Sequence, residues 1–484
     1  MNKTIPPLDL IWLAMETQSA PTHVGALMLF QKPKGRPATV RQIVDAYRAV
    51  TPTPPFNYVP ELTGGGVPRF REVEDYDPLY HVQYIAMPAD ASYDDFLRVV
   101  TDLHEPMLDR ARPLFRVWVI DGVPGGRFAV YSKVHHAIID GASGTRRIYA
   151  SLSPSPRDPV RPPAFGVELA PRRARATKGI VDRLSDLGAA ATRQSLAVKD
   201  VSFGALRKAY DALTGGDPGG SLPFTAHHGP MNEPLQAARS YATLSLPLAE
   251  MHAVAKRRGA TLNDLSVALV DAGLHRYLRE TGRPFPNRLV AMCPVSLRDE
   301  GDTEAATKAS AMFVRLGEPG LGIEERLERV RAEMSEAKQE MRAMSKDAAM
   351  VFAIGALGLA EFTSATGIAQ VTRPLANLVI SNVPGGRERM YVNGAPMVGT
   401  YPVSAVAASV GLNATLTSYA DRMDFGFIGN GRAMHSLPRL AAAVADAWEE
   451  LQASPGGARR RGKTARRPAA KRRATTKRPG TARR

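Results

Sequence analysis

The sequence predicts an α/β fold organised in two halves, and three observations carry that expectation. Segments with strand alternation exchange with segments of helical period along most of the chain. Two stretches rich in turn residues, 153–163 and 213–223, interrupt the pattern near its middle. A second series of strands and helices follows, with no short-period repeat. At 484 residues the chain has room for two or three domains.

In chain order, "TVRQIVDAYRAV" (39–50) sets Val40, Ile43, Val44, Tyr47 and Val50 on one helical face. "LFRVWVID" (114–121) and "RFAVYSKVHH" (127–136) read as strands joined by the turn residues "GVPGG". Between the two breaks, 177–200 has helical character. Residues 246–260 predict a helix that ends in basic residues and a glycine C-cap. "RLVAMCPVSLR" (288–298) and "LANLVISNVPGG" (375–386) each read as a strand entering a loop. Alternation on both sides of a polar turn makes 412–429 a hairpin. The last helix, 437–453, aligns Leu437, Leu440, Val444, Trp448 and Leu451 in one stripe.

The formal charge of +16 is uneven. Residues 458–484 hold thirteen Lys/Arg and no acid, which leaves 50 basic against 47 acidic residues in 1–457, about +3. The basic character therefore belongs to a tail with no apolar face to bury, expected to be disordered. The lone cysteine, Cys293, excludes an intrachain disulfide and fits a reducing compartment. The N-terminal stretch lacks a signal-peptide core, and the longest apolar run (348–360) is short of the ~20 residues of a spanning helix. A cytoplasmic protein with at most peripheral membrane contact is expected.

Chemistry concentrates in "YSKVHHAIIDGASG" (131–144). Alternation puts Ser132, Val134 and His136 on one face and Tyr131, Lys133 and His135 on the other, so the two histidines do not share one task. A histidine at a strand end, with an ordinary pKa near ~6.5, can act as a general base near neutral pH. Asp140 would orient the ring directly or brace the loop through an arginine, and Gly141 would permit a tight turn. A metal site would use the same residue types, but opposite faces argue against it. A second pair in "HHGPMN" (227–232) lacks a preceding strand and carries Pro230, so it reads as a loop.

This segment resembles the HHxxxDG signature of the CoA-dependent acyltransferase superfamily. "LDLIWLAMETQSAPTHVGAL", "RPLFRVWVIDG", "GATLNDL", "PVSLRDE", "SNVPGG" and "LNATLTSYADRMDFGF" are further similar to the bacterial wax ester synthase/diacylglycerol acyltransferase branch, in the same order, across residues 8–427. Two departures stand out: the branch's Pro-Leu-Trp reads Pro113-Leu114-Phe115, and its SNVPGP ends in Gly386.

The resemblance implies two chloramphenicol-acetyltransferase-like domains, each a mixed sheet with helices, and an active-site tunnel between them. The implied boundaries are 1–175 for the N-terminal domain, 176–225 for a helical crossover, 226–453 for the C-terminal domain and 454–484 for the tail. His136 matches the general base, Asp140 the structural acid, and Gly141 the loop-shaping glycine. His135 is a packing or orienting group, and Arg298 is the candidate partner of Asp140. Asn263 and Asp264 match an Asn-Asp motif near the oxyanion. Thr261 and Asp264 equally form a capping-box pattern. Ser381 and Asn382 lie where the family lines its tunnel.

The implied activity is O-acyl transfer from acyl-CoA, a co-substrate, to diacylglycerol or a long-chain alcohol, with no metal or cofactor. Alternatives are a same-fold acyltransferase with another hydroxyl or amine acceptor, and a non-catalytic lipid- or polyanion-binding relative. The tail would meet an anionic membrane or lipid-droplet surface, or nucleic acid, or remain simply solvated. Oligomeric state is not legible.

Overall fold

The structure, a computed structural model, describes residues 2–35, 39–62, 67–169, 222–286, 288–296, 309–407 and 410–454. Arg298, the segment 177–200 expected to be helical and the basic tail lie outside the described residues.

A small sheet joins β1 (Asn2–Thr4), β3 (Tyr58–Glu61) and β4 (Arg69–Glu72) in the order β1-β4-β3. The first large sheet holds β2 (His23–Gln31), β5 (Val82–Ala86), β6 (Phe115–Val123), β7 (Arg127–His135), β12 (Tyr391–Val392) and β13 (Ala395–Val403), in the order β12-β13-β2-β7-β6-β5. The second holds β8 (Arg239–Pro247), β9 (Val290–Ser296), β10 (Ala309–Arg315), β11 (Leu378–Val383), β14 (Leu412–Tyr419) and β15 (Arg422–Asn430), in the order β10-β9-β11-β14-β15-β8. Both are mixed: β5 runs parallel to β6, and β11 parallel to β9 and β14. The chain therefore has an α/β architecture built on two large mixed sheets.

β12 and β13 come from the C-terminal half yet pair with β2 in the first sheet. They are joined by Asn393-Gly394, both in the left-handed region at φ 46° and 78°, the Asn-Gly hairpin chemistry that favours a tight turn. Where β13 passes over the second sheet the backbones come very close. A Cβ on Gly426 would lie 1.9 Å from the Pro402 carbonyl oxygen, so only glycine fits. Nearby, the Thr400 amide donates to buried Asp424 at 2.8 Å.

The helices follow their apolar stripes. Leu437–Ala453 buries Leu437, Leu440, Val444, Trp448 and Leu451 against the second sheet and its helices. Each such side chain contributes about 1.5–3 kcal/mol on burial. Thr39–Arg48 buries Val40, Ile43, Val44 and Tyr47, while Val50 falls beyond its end. The helical expectation for 246–260 begins later than expected, at Leu248, because 246–247 complete β8.

Under the first sheet lies a buried cluster of titratable groups. Lys133 Nζ donates to the carbonyls of Leu103 (3.0 Å), His104 (3.2 Å) and Pro106, closing the end of the helix Tyr93–His104. Burial pushes its pKa down to about 7, Arg116 adds to the fall and Glu16 opposes it. His23 donates through Nε2 to the His104 carbonyl, and His104 Nδ1 lies 2.6 Å from the Tyr131 hydroxyl. Burial drives His23 and His104 well below the usual histidine range and takes His81 down to about 4.

These histidines titrate near ~6.5 in the unfolded chain. Below that pH the unfolded chain holds more protons at these sites than the folded one, so their stabilising contribution is present above ~6.5 and is lost as pH falls. Urea midpoints measured from pH 7 to pH 5 should fall steadily, and a flat profile would contradict neutral buried rings.

Candidate active site

β7 ends at His135, and the chain turns through His136–Ile138 into the helix Gly141–Ser151. Asp140 caps that helix, its Oδ1 accepting from the Ser143 amide at 2.7 Å. Gly141 is the first helical residue and has no left-handed φ, so it does not serve the tight turn expected of it. A Cβ there would stand 3.7 Å from Val383 of the other half, an ordinary contact.

The two histidines have different surroundings. His135 is fully buried. Its Nδ1 accepts from the Ala137 amide at 3.1 Å, which places the ring proton on Nε2. That nitrogen faces Thr22 Oγ1 at 3.2 Å and Glu16 Oε2 at 3.4 Å. Thr22 donates its own hydroxyl proton to the Trp12 carbonyl, which leaves its oxygen ready to accept from His135. Burial would raise the Glu16 carboxyl, but bonds from His135, Arg110 and the Thr22 amide outweigh it and hold the pKa below the usual range.

His136 stacks on Trp12, with ring centroids 4.3 Å apart and planes at 24°. Its Nδ1 is buried with no hydrogen-bond partner among the described residues. Burial pushes its pKa down to about 4 and His135 adds to the fall, while its own carbonyl and Asp140 oppose it. The ring is therefore neutral at physiological pH.

His136 lines a cavity of about 480 Å³ whose walls come from both halves. Ser132, Val134, Ile139 and Asp140 line it on one side, and Ser381, Asn382, Asn413 and Thr415 on the other. Most of the remaining surface is apolar, including Met28, Val130, Met292 and Val379. Thr415 Oγ1 donates to Asn413 Oδ1 and accepts from Ser404 Oγ, both at 2.7 Å, forming a short polar ladder in the far wall. Such a space, apolar with a few fixed polar groups, suits a long-chain substrate carrying one reacting polar centre.

The structure thus brings His136, Asp140, Gly141, Ser381 and Asn382 to one cavity, with His135 behind them. Asn263 and Asp264 do not line it. They sit in the first turn of the helix Leu262–Glu280, where Asp264 and Thr261 form a reciprocal capping box at 2.9 and 3.1 Å. Trp12, Glu16 and the Ser404–Thr415–Asn413 ladder were not anticipated, because each meets the site through long-range contact. Among the described residues no three metal-binding side chains converge.

Residues 5–266 match the wax ester synthase/diacylglycerol acyltransferase catalytic domain, and residues 307–452 match the C-terminal domain of the same family. The fold and the paired histidines define a CoA-dependent-type acyltransferase. More narrowly, the chain belongs to the wax ester synthase/diacylglycerol acyltransferase family and is an O-acyltransferase. It is 33% identical over 462 residues to a Mycobacterium tuberculosis protein named probable diacylglycerol O-acyltransferase Tgs4, spanning 93% of this chain and 97% of that one. It is 31% identical over 453 residues to O-acyltransferase WSD of Acinetobacter baylyi, spanning 93% and 96%. The structure of a wax ester synthase/diacylglycerol acyltransferase from Marinobacter aquaeolei VT8 superposes with a TM-score of 0.72 at 29% identity, covering 93% of this chain and 99% of that one.

One wall feature depends on Gly386. A Cβ on Gly386 would lie 2.2 Å from Cε1 of Tyr149, a cavity-lining ring. Gly386 thus lets Tyr149 lie flat against the loop after β11. Burial pushes the Tyr149 phenol up to about 12, so it stays protonated. Gly386→Ala should cost about 1–3 kcal/mol through this overlap. In a double-mutant cycle read by urea denaturation, the cost should shrink when Tyr149→Ala is present. Equal costs in both backgrounds would show that the two residues do not press on each other.

Proposed function

We propose that the cavity transfers an acyl group from the thioester of acyl-CoA to the hydroxyl of a diacylglycerol or long-chain alcohol, with His136 as general base. The observation that carries this reading is a neutral imidazole in the wall of a largely apolar cavity shared by two domains. The imidazole takes the hydroxyl proton as the oxygen attacks the thioester carbonyl. The tetrahedral intermediate collapses, the carbon–sulfur bond breaks, and the CoA sulfur leaves with the proton now on the ring. Asp140 favours the transient imidazolium electrostatically, since its charge opposes the fall of the His136 pKa. The ring stack on Trp12 holds the imidazole's orientation. Ser381 and Asn382 are the available donors to the developing oxyanion. No metal or cofactor takes part in this scheme.

Names of relatives support both acceptor classes, since one is named a diacylglycerol O-acyltransferase and the structural neighbour a wax ester synthase/diacylglycerol acyltransferase. No helix among the described residues is long and apolar enough to cross a membrane. Peripheral contact with an anionic membrane or lipid droplet, aided by the thirteen basic residues of 458–484, completes the reading.

Purified protein given palmitoyl-CoA should release free thiol only when hexadecanol or a diacylglycerol is added, and the better acceptor names the enzyme. No release with either would overturn the reading. His136→Ala should lower that rate by about 10²–10⁴-fold with little change in melting temperature. His135→Ala should instead lower stability by about 2–4 kcal/mol, because buried Glu16 and Thr22 lose a partner. Equal rate loss from both, with unchanged melting, would contradict the division of roles.

A further inference from the structure

The helix Lys346–Ala365 has two unlike faces. Its inner side packs Ala356 and Ala360 with Phe313 and Val379, and Ala353, Leu357 and Glu361 line the cavity. Its outer side carries Gly355, Gly358, Leu359 and Phe362. Leu359 is 43% exposed and Phe362 61%, and just beyond the helix Ile368 is 43% and Val371 85% exposed. A Cβ on Gly355 or Gly358 would meet nothing within 4 Å, so this face opens outward.

Among the described residues, four of the nine large apolar side chains that are more than a third exposed fall within 359–371. Scattered exposed apolar residues are ordinary, but such a concentration marks a contact surface. The strip is also almost chargeless, since Glu361 is the single charged residue between Ala348 and Thr372. Its far end is basic. His228 Nε2 is 2.7 Å from the Thr372 carbonyl, Arg373 follows, and Arg373 and Arg288 both add to a fall in the pKa of His227 that burial begins.

We propose that residues 355–371 dock the enzyme on an anionic lipid surface, with Leu359, Phe362, Ile368 and Val371 among the acyl chains and Arg373, Arg288 and His228 at headgroup level. A helix too short in apolar length to span can still lie in the interface with one face immersed. Because the opposite face of this helix is cavity wall, a diacylglycerol or fatty alcohol would pass from the surface into the site without crossing water. The proposal rests on the reading that the acceptor is a lipid.

The test uses the full-length protein and vesicles of phosphatidylglycerol and phosphatidylcholine in equal parts, at high salt to screen the basic tail. The variant Leu359→Ser/Phe362→Ser/Val371→Ser should lose about tenfold or more of the vesicle-bound fraction. Its thiol release with a short, water-soluble alcohol should be unchanged. Wild-type binding by the variant would overturn the proposal. So would unchanged vesicle binding with a loss of self-association in sedimentation, which would make the strip a contact between copies. If the triple variant also loses soluble-alcohol activity, Val371→Ser alone decides: a reduced bound fraction supports docking, an unchanged one sinks it. Wild-type vesicle binding without any acceptor-dependent thiol release would leave docking standing and overturn the acyl-transfer reading instead.

Discussion

The cavity exists because nine residues of the C-terminal half, Ala395–Val403, are seated as a strand in the N-terminal sheet. That strand ties the two halves of the chain, because its ladder partner β2 belongs to the N-terminal half while the two large sheets stay separate. It is held from below by Asp424, which accepts from the Thr400 amide and from Ser245. Burial raises the pKa of that carboxyl, while its hydrogen bonds from Ser245 and Thr400 and the nearby Arg422 oppose the rise. Gly426 removes the one atom that would keep Pro402 and the second sheet apart. Thr400, Pro402 and Ser404 then become cavity wall. Any loosening of this crossing would separate His136 from Ser381, since they stand on different sheets.

Two adjacent imidazoles illustrate how strand geometry divides labour. His135 points into the protein, where a carboxylate, a hydroxyl and a backbone amide fix its tautomer. Removing water strengthens each of these bonds and makes each costly to break. His136, one residue on, meets a ring face and open space. Its low proton affinity follows from the same burial, which Asp140 offsets only in part. The pair thus sets a rigid anchor beside a ring that faces the cavity.

Local pattern made much of this legible. The stripe of 437–453 became a buried helix face, 412–429 became β14 and β15, and the alternation of "RFAVYSKVHH" divided the two histidines between the protein interior and the cavity. What stayed hidden was mostly long-range. The pairing of β13 with β2 joins residues more than 350 positions apart, and Trp12 and Glu16 reach the histidines from another helix end. The hairpin of β12 and β13 went unread, although Asn393-Gly394 is a residue pair that favours a tight turn. For Asp264 the capping pattern was visible in the spacing, and capping is what the structure shows, while Asn263 beside it does not line the cavity. Gly141 was assigned to a turn because glycine often sits in one, yet its backbone is helical.

The apolar lining has a chemical consequence beyond fitting an acyl chain. A thioester can be attacked by water as readily as by an alcohol, and water is far more abundant. A site that excludes water protects the donor and leaves the bound hydroxyl as the nucleophile at hand. The same dryness lowers the proton affinity of His136, which would weaken a base in solution. In the proposed scheme it keeps the ring unprotonated at working pH, and Asp140 would supply charge as the imidazolium forms. Positioning must then provide what basicity does not, since holding two substrates in register removes an entropic barrier of several kcal/mol, about 7–11 at most. The seating of β13, the Trp12 stack and the Gly386–Tyr149 contact all act on position, which the proposed scheme makes the main source of rate.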